Sequence, residues 1–308
     1  MLGTFVTITA YGENREGVNA AVSASFEEFR RIDSLMSIHR ADSELSRLNA
    51  RADAGPVVVS PDLFRVITKA QEIAGETEGS FDVTIRPLAD LWGFIWKEYR
   101  RPTAEQLNKV LPQVNYRLVQ LDAEKRTVHF REAGVSLDLG GIAKGYAVDC
   151  AIEKLRSLDV TNAMVKAGGD LRVIGAPPGQ TNWIVQLEDP RKEGRRSKVR
   201  LRDAALSTSG NYENYFEIGG VRYSHILNPR TGWPVQGIAA CTVIAPTCME
   251  SDAMATACFV HGVEQSLEKF GTRFPMRFTL MPKRPAHDNW SIRQTASFPA
   301  VGSNRVRD

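Results

Sequence analysis

An apolar run at residues 135–139 passes through Gly140 and Gly141 into a helix opening near Ile142, and no other stretch constrains the fold as much. A strand–glycine–helix junction leaves backbone N–H groups free at the helix N-terminus, where the macrodipole favours anions. Glycines there let the backbone approach a ligand closely. Asp138 borders the run and Lys144 follows six residues later, so both charges flank one turn. The stretch reads as a phosphate or metal–phosphate site, and equally as an ordinary strand-to-helix turn. Nucleotide motifs do not decide between the two. Lys144 precedes Gly145, against the order of G-x-x-x-x-G-K-[ST], and the adjacent Gly140 and Gly141 do not make G-x-G-x-x-G.

Around this junction, strands and helices interleave without a regular βαβ rhythm, which predicts mixed α/β layers of the α+β class rather than a doubly wound sheet. Residues 4–11 alternate as a strand. Val18, Val22, Phe26, Phe29, Ile32 and Leu35 recur at helical spacing, and a short capped helix closes at Asn49. Ser60-Pro61 is an N-cap with proline at the first helical position, opening a helix to about Glu76. Leu88, Leu91, Trp92, Phe94 and Trp96 read as a core cluster, and residues 97–101 as a basic solvated loop. Residues 127–131 and 135–139 read as a hairpin about Glu132-Ala133-Gly134, followed by a helix with Ala147, Val148, Ala151, Ile152 and Leu155 on its apolar face. Further strands are expected at 162–166, 171–174, 183–187, 239–245 and 276–280, a hairpin at 216–223, and a helical pair at 251–260 and 265–270. The basic segment 191–202 reads as an exposed hairpin or insertion. Residues 1–283 are expected to form one catalytic domain, or two intertwined lobes of one, with a loosely ordered tail over 284–308.

The chain has 308 residues, 43% of them apolar, enough for a substantial core. A net charge of +3 carries no nucleic-acid signature, and no apolar run is long enough to cross a membrane. Cys150, Cys241, Cys248 and Cys258 lack metal-ligand spacing and read as free thiols. The first residues enter a strand with no basic or apolar leader, so the chain as written is expected in the cytoplasm. An export segment upstream would place it in the periplasm or at a membrane.

Four polar, glycine-rich turns follow apolar runs: 137–145, Gly168-Gly169-Asp170, Thr208-Ser209-Gly210-Asn211-Tyr212, and 224–232. A fifth element, Asp252-Ala253-Met254-Ala255-Thr256, is expected at the start of a helix, where Asp252 and Thr256 share one face. A carboxylate, a hydroxyl and a backbone carbonyl form a hard-oxygen set suited to Mg²⁺. Taken alone, Asp252 reads more simply as a helix-start residue and Thr256 as a packed one. His225 precedes an Asn-Pro turn, where it can take a proton near neutral pH or simply satisfy the turn. Together Asp138, Asp252 and Thr256 for a metal, the glycine turns for phosphates and His225 for a proton suggest Mg²⁺-assisted chemistry on a phosphoanhydride.

The chain resembles the ApbE-like family of FAD:protein FMN transferases. The matching pieces, in family order, are Gly3-Thr4, Met36-Ser37 with residues 42–49, Phe81-Asp82-Val83-Thr84, and residues 137–149, 167–170, 208–212, 225–232 and 251–256. The resemblance implies an ApbE-like (T-fold-like) flavin transferase fold. It implies Mg²⁺-dependent transfer of FMN from FAD to a Thr or Ser hydroxyl in a flavinylation motif of an acceptor flavoprotein, through a phosphoester bond, with release of AMP. By the same carry-over Gly141, Asp252, Thr256 and the Ala255 carbonyl would hold the metal. Leu2, His39, Ser80, Phe81, Asp82, Asp138, Lys144 and Ile226 would contact FAD, and His225 would be the general base. An FAD pyrophosphatase and a flavin-binding or storage protein are the alternatives. Two positions depart from the family pattern: His39, where an aromatic residue is common, and Asn228, where an aspartate is common and its charge could raise the basicity of His225.

Overall fold

The computed structural model describes residues 2–188, 190, 197–282 and 289–301. In chain order, strand β1 (Val6–Tyr11) leads into helix α1 (Arg15–Met36) and the short helix α2 (Glu44–Asn49). Strand β2 (Val57–Val58) and helices α3 (Pro61–Glu76), α4 (Arg86–Trp92) and α5 (Ala104–Val110) follow. A hairpin, β3 (Val119–Asp122) and β4 (Thr127–Phe130), precedes α6 (Ala143–Arg156). Strands β5 (Asn162–Ala167), β6 (Asp170–Ile174), β7 (Trp183–Leu187), β8 (Ser197–Leu201) and β9 (Ala204–Gly210) run in succession. The hairpin β10 (Tyr215–Ile218) and β11 (Val221–Ser224) leads to β12 (Ile238–Ala245), α7 (Cys248–His261), α8 (Val263–Phe270), β13 (Met276–Leu280), β14 (Ser291–Gln294) and β15 (Ala300–Val301).

Helix boundaries follow their caps. The Asn14 side chain accepts the Glu16 and Gly17 N–H groups to open α1, and Ser60 accepts the Leu63 N–H ahead of Pro61 in α3. The central layer is a seven-stranded antiparallel sheet in the order β1-β5-β6-β9-β12-β13-β14. Alternation of side chains gives each strand two faces. Ala163, Val165, Ala205, Cys241, Val243, Met276 and Phe278 join the main core with α6 and α7. Leu171, Val173, Leu206 and Ile244 pack instead with Trp183, Val185, Val199 and Leu201 of a three-stranded sheet, β15-β8-β7. Covered on both sides, β12 is buried at all eight residues. Helices gathered on one face of an antiparallel sheet make the fold α+β, as expected.

Several expectations are corrected. Residues 135–139 belong to no sheet, and β4 pairs with β3 and β2 instead. The Asn49 carboxamide takes the place of a neighbouring strand: its Oδ1 accepts the Leu137 N–H at 2.8 Å and its Nδ2 donates to the Leu137 carbonyl at 2.9 Å. The next N–H, from Asp138, donates to the Val83 carbonyl at 2.8 Å. Trp96 is not core; it stands 57% exposed with its ring edge-on to His39. Within the expected loose tail, Ser291–Gln294 extend the main sheet as β14 beside β13, and Ala300–Val301 pair as β15 with β8. Residues 283–288 and 302–308 lie outside the described residues. The basic segment divides likewise: residues 191–196 fall outside the description, whereas Ser197–Leu201 form β8. All four cysteines are free. Among the described residues no helix is long and apolar enough to cross a membrane.

Candidate functional site

Close packing of α6 on α7 sets the geometry. A Cβ at Gly145 would lie 2.3 Å from the Cys248 carbonyl oxygen, so only glycine admits this approach. Asp149, one turn further along α6, accepts the Cys248 and Met249 N–H groups at 2.9 and 2.8 Å and thereby caps α7 from outside. Asp252 lies in the second turn of α7, not at its start, since Thr247 is the N-cap. Its carboxylate therefore does not cap its own helix. It reaches across to α6, where Oδ2 accepts the Gly145 N–H at 3.0 Å and both oxygens lie 3.4 Å from Lys144 Nζ.

Lys144 is the hub. Its Nζ donates to the Gly140 carbonyl at 2.7 Å and lies 3.2 Å from Asp170 Oδ2. Burial opposes its charge, but the Asp170 and Asp252 carboxylates outweigh that and hold its pKa above the ordinary lysine value. Burial pushes Asp252 up to about 7, helped by the Asp170 charge and opposed by Lys144. The N–H groups at this turn are largely engaged: Gly140 donates to Asp138 Oδ1, Ile142 and Ala143 to the Leu139 carbonyl, and Gly145 to Asp252. The turn is thus not a free anion nest, and its cationic group is the Lys144 ammonium.

The four glycine-rich turns converge here. A cavity of about 260 Å³ is lined by Gly140, Gly141 and Lys144 from the first, Gly169 and Asp170 from the second, Thr208, Ser209 and Gly210 from the third, and His225, Ile226, Leu227 and Pro229 from the fourth. Ser80, Phe81, Asp82, Asp138, Asp252 and Thr256 complete most of its wall. A second cavity of about 210 Å³, lined by Leu2 and His39, shares Ile85, Asp138, Gly140, Lys144 and His225 with the first. Every residue singled out from the sequence as a contact therefore lines one of two adjoining cavities, except Ala255. That residue is fully buried in α7 and contributes no surface to either.

Individual environments differ. Ser80 Oγ is 2.9 Å from His261 Nδ1. Asp82 spends its carboxylate inside the protein, accepting Thr84 N–H and Oγ1–H at 2.8 and 2.6 Å and the Tyr116 N–H at 2.8 Å; it fixes the loop rather than offering a free charge. Burial raises the pKa of both Asp82 and Asp138. His39 is exposed at the rim.

His225 is held by one carbonyl. Its backbone N–H donates to Asn214 O at 3.0 Å, and its Nδ1 is 3.1 Å from the same oxygen. A carbonyl only accepts, so Nδ1 carries the proton and Nε2 keeps a lone pair. Burial lowers the His225 pKa to about 4, against that hydrogen bond, which favours the charged form. Asn228, expected to bear on the basicity of His225, instead closes its own turn: Oδ1 accepts the Arg230 N–H at 2.9 Å and its N–H donates to the Trp233 carbonyl at 2.8 Å. Trp92 Nε1 donates to the Gly232 carbonyl at 2.8 Å and anchors the far end of that turn to α4.

The donor chemistry fits a hard divalent cation. Asp252 and Thr256 lie one turn apart on α7, and Thr256 Oγ1 is 2.9 Å from Ser209 Oγ. The Gly141 backbone comes so near that a Cβ there would sit 3.5 Å from Thr256 Oγ1. Among the described residues no group of three or more His, Cys, Asp or Glu side chains is gathered to hold a metal. One carboxylate with neutral oxygens is the kind of set that Mg²⁺ accepts when phosphate supplies the remaining ligands. Asp170, Ser209 and Asn214 carry contacts that the sequence reading had not assigned. The first two lie in turns already singled out by their glycines. Asn214 has no local signal, since its role comes from a backbone carbonyl.

Comparison with known proteins identifies the family. The model of the ApbE family matches residues 2–275. The FAD:protein FMN transferase of Haemophilus influenzae is 36% identical over 246 residues, 77% of this chain and 71% of that protein. That of Treponema pallidum is 32% identical over 283 residues, 86% and 78%. Among solved structures, the ApbE protein of Thermotoga maritima superposes with a TM-score of 0.85 at 32% identity, covering 96% of this chain and 94% of that one. The flavin transferase ApbE of Vibrio cholerae gives 0.84 at 30% identity, covering 96% and 95%. Matched along nearly its whole length in sequence and in fold, the chain belongs to the ApbE family.

Proposed function

We propose that this chain is an Mg²⁺-dependent FAD:protein FMN transferase, joining the FMN half of FAD to a Thr or Ser hydroxyl of an acceptor protein and releasing AMP. The observation that carries the reading is His225, its Nδ1 turned to the Asn214 carbonyl so that Nε2 is left to accept a proton, in one cavity with the Lys144–Asp170–Asp252 cluster. The names borne by the relatives support the same reaction.

Nε2 of His225 takes the proton of the acceptor hydroxyl as its oxygen attacks the FMN phosphorus. The bond from that phosphorus to the bridging oxygen breaks, and AMP leaves with the electron pair. Lys144 offsets the charge that grows on the leaving phosphate. Asp252, Thr256 and the Gly141 carbonyl would hold Mg²⁺, which when bound neutralises pyrophosphate charge. Leu2, His39, Ser80, Phe81, Asp82, Asp138 and Ile226 shape the two cavities that would receive FAD, Asp82 by fixing its loop.

The test is incubation with FAD, Mg²⁺ and an acceptor carrying a flavinylation-motif Thr or Ser, followed by intact-mass measurement. The acceptor is expected to gain FMN less one water, with one AMP released per adduct. Free FMN and AMP without an adduct would make the protein an FAD pyrophosphatase. FAD recovered whole would leave a flavin-binding or storage protein.

A further inference from the structure

We propose that Tyr99 is a positioning residue for His225, acting through Asn214; the inference rests on His225 being the proton acceptor. The Asn214 carbonyl fixes both the backbone and the tautomer of His225, so whatever fixes Asn214 aims Nε2. Asn214 precedes the β10–β11 hairpin and His225 follows it, so this carbonyl closes the hairpin at its base. Its side chain has one partner outside the hairpin: Tyr99 Oη donates to Asn214 Oδ1 at 2.8 Å.

Tyr99 is itself rigidly delivered, although its loop reads from sequence as a solvated basic stretch. Gly93 ends α4 at φ +76°, and a Cβ there would meet the Glu98 carbonyl oxygen at 2.0 Å. The Glu98 N–H donates to the Gly93 carbonyl at 3.0 Å and the Arg100 N–H to that of Trp92 at 3.1 Å. The Arg100 guanidinium donates to the Leu91 and Asp90 carbonyls at 2.9 and 2.8 Å, pinning the loop to the end of α4. The Tyr99 ring stacks on Phe216 of β10 with centroids 5.3 Å apart and planes 17° apart. A continuous set of contacts thus runs from α4 through Tyr99 and Asn214 to the imidazole. Asn228 takes no part in it, since its side chain closes its own turn.

Tyr99→Phe keeps the stacked ring and removes only the hydroxyl, while Asn214→Ala keeps the carbonyl and removes Oδ1. Each is expected to slow AMP release from FAD by about three- to tenfold, the range of one neutral hydrogen bond. In Tyr99→Phe, whose side chain lines neither cavity, FAD affinity should stay unchanged and the thermal midpoint should fall by no more than the loss of one hydrogen bond explains. The double variant should be no slower than the slower single one, because both remove the same contact. In ¹⁵N spectra of labelled histidine, with the His225 signals assigned by their loss in His225→Gln, the Nδ1–H tautomer of the wild type should give way to a mixture in Tyr99→Phe. Wild-type rates, additive losses in the double variant or an unchanged tautomer would overturn the inference. A His225→Gln variant that still turned over at the wild-type rate would instead remove the base itself, which keeps the two failures distinguishable.

Discussion

Gly145→Ala tests whether the approach of α6 to α7 builds the site. The added methyl would lie 2.3 Å from the Cys248 carbonyl oxygen, 2.6 Å from its carbon and 2.8 Å from the Met249 nitrogen. Carbon contacts are comfortable at about 3.5 Å, so the helices must part by roughly 1 Å. The opposing atoms are backbone, and Asp149 pins them, so no side chain can swing away. Overpacking of this kind costs about 1–3 kcal/mol. Loss of the Gly145 N–H bond to the Asp252 carboxylate adds about 1.5 kcal/mol or more. Against both, alanine gains about 1 kcal/mol of helix propensity over glycine. The net loss is about 1.5–3.5 kcal/mol. Turnover should fall further than stability accounts for, because a displacement of about 1 Å at Lys144 and Asp252 can cost on the order of a hundredfold. Urea unfolding gives the first quantity and AMP release in fully folded protein the second. Gly75→Ala is the control, since it lies in α3 with nothing within 4 Å of the new methyl, and it should be neutral or slightly stabilising. Wild-type stability and turnover in Gly145→Ala would show that the approach of α6 to α7 does not build the site.

Three further outcomes follow from the same geometry. Asp252→Ala should abolish Mg²⁺-dependent turnover, and full activity measured by AMP release would remove Asp252 from the metal site. His225→Gln should bind FAD as tightly as the wild type, read by flavin fluorescence, while slowing transfer by about 10²–10⁴-fold; an unchanged rate would contradict its role. The same variant probes acid stability. Because the pKa of His225 falls from 6.5 to about 4 on folding, the unfolded chain binds a proton between those values that the folded chain does not. Stability from this residue is full above pH 6.5 and lost as pH falls, by about 2 kcal/mol at pH 5. Urea unfolding at pH 7 and pH 5 should show the wild type losing that much more than His225→Gln, and parallel losses would refute the buried neutral imidazole.

Local patterns carried much of the fold. The spacing of Phe29, Ile32 and Leu35 and the Ser60-Pro61 cap marked α1 and α3 because side-chain periodicity and capping are local chemistry. Residues 135–139 show where that reading stops. Alternation reports an extended backbone with two unlike faces, but here the partner is the Asn49 carboxamide, 88 positions away from Leu137. Trp96 carries the composition of a core residue, yet lies past the glycine that ends α4 and points to solvent at the His39 rim. The site was legible as five separate elements because glycines and isolated polar residues at the ends of apolar runs are conspicuous. Their joining in one site follows from their combined chemistry and from the family resemblance, but the ion contacts of Lys144 with Asp252 and Asp170 were not legible, since they arise only through tertiary packing. The tautomer of His225 was hidden for a different reason: it depends on a main-chain oxygen, which no side-chain pattern announces.

The most direct test of the central claim is a crystal structure of the chain with FAD and Mn²⁺ in place of Mg²⁺, the metal located by its anomalous signal. The metal is expected on Asp252, Thr256 and the Gly141 carbonyl, the pyrophosphate beside Lys144, and Nε2 of His225 facing the FMN phosphorus. A metal held by other residues, or FAD bound outside the two joined cavities, would contradict that claim.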